Sequence, residues 1–160
     1  MYELGEKATN AFENSRKRIA DFVGASKNSI VFTKSATESI NLVAESWGYD
    51  NLNSGDVILL TDMEHHSNII PWQIICKKTG AKIKYIRSTE NGTINLEDLK
   101  KSLDSNVKIV SITHASNVFG TINPVKEITN IVKKNGSKIM IDGCQSIPHM
   151  KVNVKDLDCD

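Results

Sequence analysis

The apolar positions of this chain recur with two different periods. From Glu6, Ala8, Phe12, Ser15, Ile19 and Phe22 fall at steps of four and three, which predicts a helix with one apolar face that Gly24 closes. Ser29-Ile-Val-Phe-Thr33 predicts a strand, and Lys34-Ser-Ala-Thr37 a small polar turn after it. The next helix carries Ile40, Val43, Ala44 and Trp47 on one face and ends at Gly48. Val57 to Leu60 predicts a buried strand after the turn Asn53-Ser-Gly-Asp56. Pro71 suits the first turn of a following helix, which Gly80 closes. Lys82 to Ile86 alternates as a strand, and Asn95 with Asp98 predicts the cap of a short helix through Leu103. Val107 to Thr113 is another apolar strand. Pro124 opens a helix whose inward face is Val125, Ile128, Ile131 and Val132, and Gly136 stops it. A last strand, Ile139 to Ile141, runs into Asp142-Gly143, and Pro148 breaks the chain soon after.

Strand and helix therefore alternate five times at spacings typical of βαβ units. The fold class that follows is α/β, a mostly parallel sheet flanked by helices. No internal repeat, low-complexity segment or linker divides the 160 residues, so one domain is expected.

Composition narrows the function by exclusion. The apolar fraction of 39% supports a core, and a formal net charge of +1 gives no field for nucleic acid or an anionic membrane. Cys76, Cys144 and Cys159 lie far apart and form no Cys-x-x-Cys, so a disulfide framework is not expected. A reducing compartment follows, the cytoplasm or an organelle matrix if a transit peptide has been removed. No apolar run reaches the span of a membrane helix.

The candidate chemistry lies at the strand ends. Ser35, Ala36 and Thr37 follow the first strand, and Glu64, His65 and His66 the second. His114, Ser116 and Asn117 follow the fourth, and Asp142, Cys144 and Gln145 the fifth. In a parallel sheet these share one edge, where open α/β folds bind ligands. Turns are polar anyway, so no single position is decisive; the four ends together point to a site. Small residues opening a helix let backbone N–H groups approach an anion, so Ser35-Ala36-Thr37 fits a phosphate cradle, although a plain N-cap at Thr37 accounts for the same residues. Neither Gly-Lys-Ser/Thr nor Gly-x-Gly-x-x-Gly is present. Asp142, just past a dry strand, needs either a backbone or arginine partner or a cationic ligand. Adjacent His65 and His66 lack metal-ligand spacing, and no metal site is expected. An imidazole stacked flat on an aromatic ring is a better use of one of them.

Four stretches carry a family resemblance. They are Ile30-Val-Phe-Thr-Lys-Ser-Ala-Thr-Glu-Ser-Ile-Asn-Leu-Val43, Met63-Glu-His-His-Ser-Asn-Ile-Ile-Pro-Trp-Gln73, His114-Ala-Ser-Asn-Val-Phe-Gly-Thr-Ile-Asn-Pro-Val125 and Asp142-Gly-Cys-Gln-Ser-Ile-Pro-His149. In order and spacing the chain resembles an internal piece of the large domain of class V aminotransferases, pyridoxal phosphate (PLP) enzymes of the aspartate aminotransferase-like fold. Among these it most resembles the sulfur-mobilising cysteine desulfurases.

The resemblance implies that Ala36 and Thr37 hold the cofactor phosphate and that His65 stacks on the pyridine ring as a catalytic residue. It implies that Asp142 pairs with the ring nitrogen, that Gln145 bonds the ring hydroxyl, and that Asn117 sits near the substrate carboxylate or the ring. The implied reaction converts L-cysteine (or selenocysteine) to L-alanine, with sulfur held as an enzyme persulfide and passed to an acceptor protein of iron–sulfur assembly. It also implies a homodimer. By the same resemblance the family's N-terminal segment, Schiff-base lysine, nucleophilic cysteine and small domain lie outside residues 1–160, and the chain alone is expected to be inactive and poorly soluble. None of the three cysteines matches the nucleophile's motif; Cys144 and Cys159 read as small buried residues. An aminotransferase, a selenocysteine lyase or a kynureninase-like enzyme fits the same stretches, and so does a non-catalytic scaffold if the gene ends at Asp160.

Overall fold

The computed structural model describes residues 2–160. Strands β1 (Val57–Thr61), β2 (Lys82–Ile86), β3 (Val107–Thr113) and β4 (Lys138–Asp142) form one sheet in the order β2-β1-β3-β4, with every neighbouring pair parallel. Helix α1 spans Glu3–Val23. Helix α2 (Ala36–Val43) continues through a wide π-type turn, Ala44–Gly48, into α3 (Tyr49–Asn51). Then follow α4 (Ile70–Thr79), α5 (Leu96–Ser102), α6 (Val125–Lys134) and α7 (Val154–Leu157). Among the described residues no helix is long and apolar enough to cross a membrane.

The centre of the sheet is covered on both faces, which is why β1 and β3 read as near-continuous apolar runs, while the edge strand β2 alternates. Val57 and Leu59 of β1 pack with Leu99 of α5 and with Val125, Ile128 and Val132 of α6. Ile58 and Leu60 point the other way, toward Ala44, Trp72 and Ile75. The 3.6-residue stripe of α6 thus becomes core. Replacing its fully buried Ile128 by Ala is expected to cost ~2–5 kcal/mol of unfolding free energy in urea denaturation. A Phe22→Ala change, at a side chain 63% exposed, should fall within about 0.5 kcal/mol of the parent.

That contrast marks one departure from expectation. Helix α1 forms and ends at Gly24 with φ 72°, yet its apolar stripe faces no core: Phe12, Ile19 and Phe22 stay exposed and Ala20 is its buried residue. Periodicity predicted the helix, but nothing in the pattern named the surface it would cover. Gly24 is also where α1 meets the C-terminal segment, since a Cβ there would collide with the Asn153 side chain.

The sheet has four strands, not the five expected. Lys27–Ser29 forms a short 3-10 turn capped by Ser26, and the residues after it run extended without pairing to any strand. They are tied to α1 by side chains instead. The Arg16 guanidinium donates to the Ile30 carbonyl and lies 5.1 Å from the ring centres of both Phe12 and Phe32. Two smaller corrections concern caps. Ser35, not Thr37, caps α2. Asn95 alone caps α5, while Asp98 accepts the Arg87 amide at 2.7 Å and steadies the chain leaving β2.

Candidate active site

Parallel pairing places the C-terminal ends of β1, β3 and β4 side by side, and the loops leaving them meet the start of α2. A cavity of about 230 Å³ opens there. Ala36, Thr37, His65, Asn117, Asp142 and Gln145, six positions from four separate stretches, all line it. Ser35, Ser67, Thr113, Ala115 and Cys144 complete its wall.

At one end lies the N-terminus of α2. The Ser35 hydroxyl accepts the Glu38 amide at 3.3 Å, and the Glu38 carboxylate reaches back to the Lys34 amide at 2.5 Å. This reciprocal cap satisfies the third N–H of the helix and leaves those of Ala36 and Thr37 without an intrahelical partner. Two free amides, the Thr37 hydroxyl and the positive end of a helix dipole suit an anion.

Across the cavity stands Asp142, the last residue of β4, half-buried and paired in register with Thr113. Its Oδ1 accepts the Cys144 amide at 2.9 Å, and its backbone carbonyl accepts the His114 amide at 2.9 Å. No Lys or Arg forms an ion pair with it among the described residues. Of the two ways to satisfy this carboxylate, a backbone N–H meets one oxygen and the cavity faces the group.

His65 comes from the loop after β1. Its Nδ1 accepts the Ser67 amide at 3.2 Å and lies 2.8 Å from the Ser67 hydroxyl. In the neutral ring the proton is therefore on Nε2. His66, next in sequence, projects outside the cavity. Asn117 sits on a tight loop whose shape comes from Ser116, its hydroxyl accepting the Val118 and Phe119 amides at 3.2 and 3.1 Å. Ser116 itself supports that loop and does not line the cavity.

Two strand-end residues depart from the sequence reading. His114 is 6% exposed and turned away from the cavity; its Nδ1 has no partner and burial lowers its pKa. Cys144, expected to be a small buried residue, is exposed and stands in the cavity wall, because the chain turns outward at Gly143. Cys159 is half-buried against the core, which raises its thiol pKa. Among the described residues no group of three or more His, Cys, Asp or Glu converges in a way that could hold a metal.

Sequence reasoning named Glu64 as a strand-end residue but missed Asn68 and Asn123, which with it form a layer beneath the cavity. Asn123, buried, donates to the Thr113 carbonyl at 2.9 Å and accepts the Ile94 amide at 2.9 Å, which fixes the start of the Asn117 loop. Glu64 and Asn68 are buried beside it in the loop that carries His65. A carboxylate and an amide four residues apart, just before the apolar run Ile69-Ile-Pro-Trp72, were the signal available.

This is an α/β protein with a parallel sheet, whose strand-end cavity sets a helix N-terminus, an imidazole and a carboxylate around one space. The aminotransferase class-V family profile matches residues 1–160, and the chain belongs to that family. It is 50% identical to a probable cysteine desulfurase of Halalkalibacterium halodurans, over 100% of this chain and 40% of the relative. It is 44% identical to a cysteine desulfurase of Haloferax volcanii, over 100% of this chain and 38% of that one. The apo structure of a cysteine desulfurase from Thermococcus onnurineus superposes with a TM-score of 0.93 at 41% identity, covering 100% of this chain and 40% of that chain. The chain thus spans about 40% of the length of the relatives it matches.

Proposed function

We propose that residues 1–160 are part of the pyridoxal phosphate-binding large domain of a cysteine desulfurase. The observation that carries this reading is the convergence of Thr37, His65 and Asp142 on one cavity in a member of this family. The donor set fits the group from end to end. The Ala36 and Thr37 amides with the Thr37 hydroxyl would hold the phosphate, and the His65 imidazole would cover the ring face. Asp142 would hold a proton on the ring nitrogen, Gln145 would meet the ring hydroxyl, and Asn117 would sit near the substrate carboxylate or the ring. When bound, pyridoxal phosphate supplies an electron sink for charge developing on the substrate α-carbon. Asp142 would keep that sink strong, because a carboxylate facing the protonated ring favours the cation by direct charge pairing.

For the whole enzyme the reaction is L-cysteine plus an enzyme thiol giving L-alanine plus an enzyme persulfide. The sulfur then passes to an acceptor protein of iron–sulfur assembly. The thiol and the cofactor-linking lysine belong to the family's segments outside these residues, so the chain by itself binds without turning over. The family's homodimer belongs to this proposal too, with the exposed apolar residues of α1 and of the Val118-Phe119 loop as surface that a further segment or a second copy covers.

The test uses pyridoxamine 5'-phosphate, which keeps ring, hydroxyl and phosphate but has no aldehyde to react with surface lysines. The chain is expected to bind it by equilibrium dialysis. Thr37→Val should raise the dissociation constant about tenfold, the worth of one hydrogen bond to a charged group. Incubation with pyridoxal phosphate and L-cysteine should release no alanine. Binding unaffected by Thr37→Val, or alanine released by the chain alone, would overturn the assignment.

A further inference from the structure

Beneath the cavity, Glu64 sits 8% exposed with three donors around its carboxyl. Oε1 takes the Thr61 hydroxyl and, at 2.9 Å, the Thr113 backbone N–H. Oε2 takes the Asn68 amide nitrogen at 2.8 Å. Two of these donors are fixed. The Thr113 group is a backbone amide. The Asn68 side chain is oriented by Trp72, whose indole N–H can only donate and reaches Asn68 Oδ1 at 3.1 Å. The Ser111 hydroxyl joins the same oxygen at 2.6 Å. The amide nitrogen of Asn68 therefore faces Glu64. Only the Thr61 hydroxyl can reverse, from donor to acceptor.

The placement of these partners gives the cluster its purpose. Thr61 ends β1 and Thr113 ends the neighbouring β3, so one carboxyl bridges two adjacent strand ends. Asn68 closes the loop that carries His65, and the His65 ring is otherwise held by Ser67, a member of the same loop. Where that ring stands over the cavity is decided by the loop, and the loop's inner tie is Glu64. We propose that Glu64 is a positioning residue for His65, a buried clamp between the loop and the ends of β1 and β3 that is reset by the gain or loss of one proton.

The surroundings make that proton exchange near neutral pH. Burial pushes the Glu64 carboxyl up to about 7, against the pull of its three donors, and the Asp142 carboxylate adds a smaller upward push. Neighbouring elements bring Thr61 from β1, Ser111 and Thr113 from β3, and Trp72 from α4, all uncharged; β4 brings Asp142. Ionised, Glu64 accepts all three donors. Protonated, it gives its hydrogen to a reversed Thr61 hydroxyl while the two fixed donors stay. Because the folded pKa lies above the unfolded value of about 4.5, the linked stability is fully present below that pH and is lost as pH rises through about 7.

Trp72 provides the readout, since its indole N–H is two hydrogen bonds from the carboxyl. In ¹H–¹⁵N spectra of the ligand-free chain from pH 5 to 9, the Trp72 indole resonance is expected to titrate with a midpoint near 7, while that of Trp47, outside the cluster, stays flat. In Glu64→Gln the Trp72 resonance should not titrate, and the urea midpoint should lose its fall between pH 5 and 8. In His65→Ala the titration should persist, which separates it from the imidazole. The consequence for the ligand rests on the cofactor reading: Glu64→Gln should weaken pyridoxamine 5'-phosphate binding several-fold and flatten its pH dependence. A Trp72 titration that survives Glu64→Gln, or is missing from the parent chain, overturns the clamp, as does unchanged ligand binding in Glu64→Gln. Failure of the parent chain to bind the phosphate ester at all overturns the cofactor reading instead, and the spectra still decide the clamp.

Discussion

Asp142→Asn is expected to weaken pyridoxamine 5'-phosphate binding about thirtyfold while leaving the fold intact. The substitution is nearly isosteric, and the internal duty of the side chain survives it. An Asn Oδ1 can accept the Cys144 amide, which Asp142 Oδ1 now takes at 2.9 Å. The backbone pairing of β4 with Thr113 does not involve the side chain. What changes is the group facing the cavity. A carboxylate attracts a protonated ring nitrogen; an amide turns either a neutral oxygen or a donor toward it. Removing one partner of a desolvated charge pair costs ~2–5 kcal/mol, and Asp142 is only half-buried, so the lower end applies. About 2 kcal/mol is about thirtyfold in affinity. The measurement is equilibrium dialysis at pH 7 with thermal unfolding alongside. Equal affinity in Asp142→Asn with an unchanged melting temperature would remove the ion pair from the site, and with it the main electrostatic argument for this ligand.

How much of this was legible beforehand depended on the range of the interaction. The strands at Val57, Lys82, Val107 and Ile139 and the helices between them follow from local periodicity and from Gly and Pro at their ends, and all formed. Parallel topology follows from the alternation and sets the ends of β1, β3 and β4 on one edge; which six residues line the cavity was implied by the family resemblance, and Ala36 and Thr37 reach it from the start of α2 rather than from a strand end. The failures are long-range. Val31 and Phe32 have strand chemistry, but a strand needs a neighbour, and here Arg16 and Phe12 of α1 hold the segment instead. Phe12, Ile19 and Phe22 form a correct helical stripe without a partner surface. Cys144 looked like a small core residue; its exposure is set by the Gly143 turn, three-dimensional information that its own identity does not carry. His114 shows the converse: a polar residue at a strand end, yet buried and aimed away from the cavity.

The largest stability effect is expected at Asn68→Ala, and the reasoning runs through everything that Asn68 connects. The residue is fully buried, and its amide stands at the centre of four others: Glu64, Trp72 and Ser111 by direct hydrogen bonds, and Thr61 through Glu64. Truncation leaves the Trp72 indole N–H and the Ser111 hydroxyl without their shared acceptor, in a space that apolar neighbours keep dry. Each buried orphan costs ~1–3 kcal/mol, and the void left by the amide adds to that. A loss of ~3–5 kcal/mol follows, a large share of the ~5–15 kcal/mol that a domain has in total. Asn68→Asp tests the same network from the opposite side. It keeps the acceptor for Trp72 and Ser111 but sets a second carboxyl against Glu64, so its penalty should shrink at acid pH, where Glu64 keeps its proton, and grow as pH rises through about 7. Urea unfolding of both variants at pH 5.5 and 8 measures this. A loss under about 1 kcal/mol for Asn68→Ala, or a pH-independent penalty for Asn68→Asp, would show that the loop bearing His65 is held by its apolar contacts and that the polar layer under the cavity is incidental.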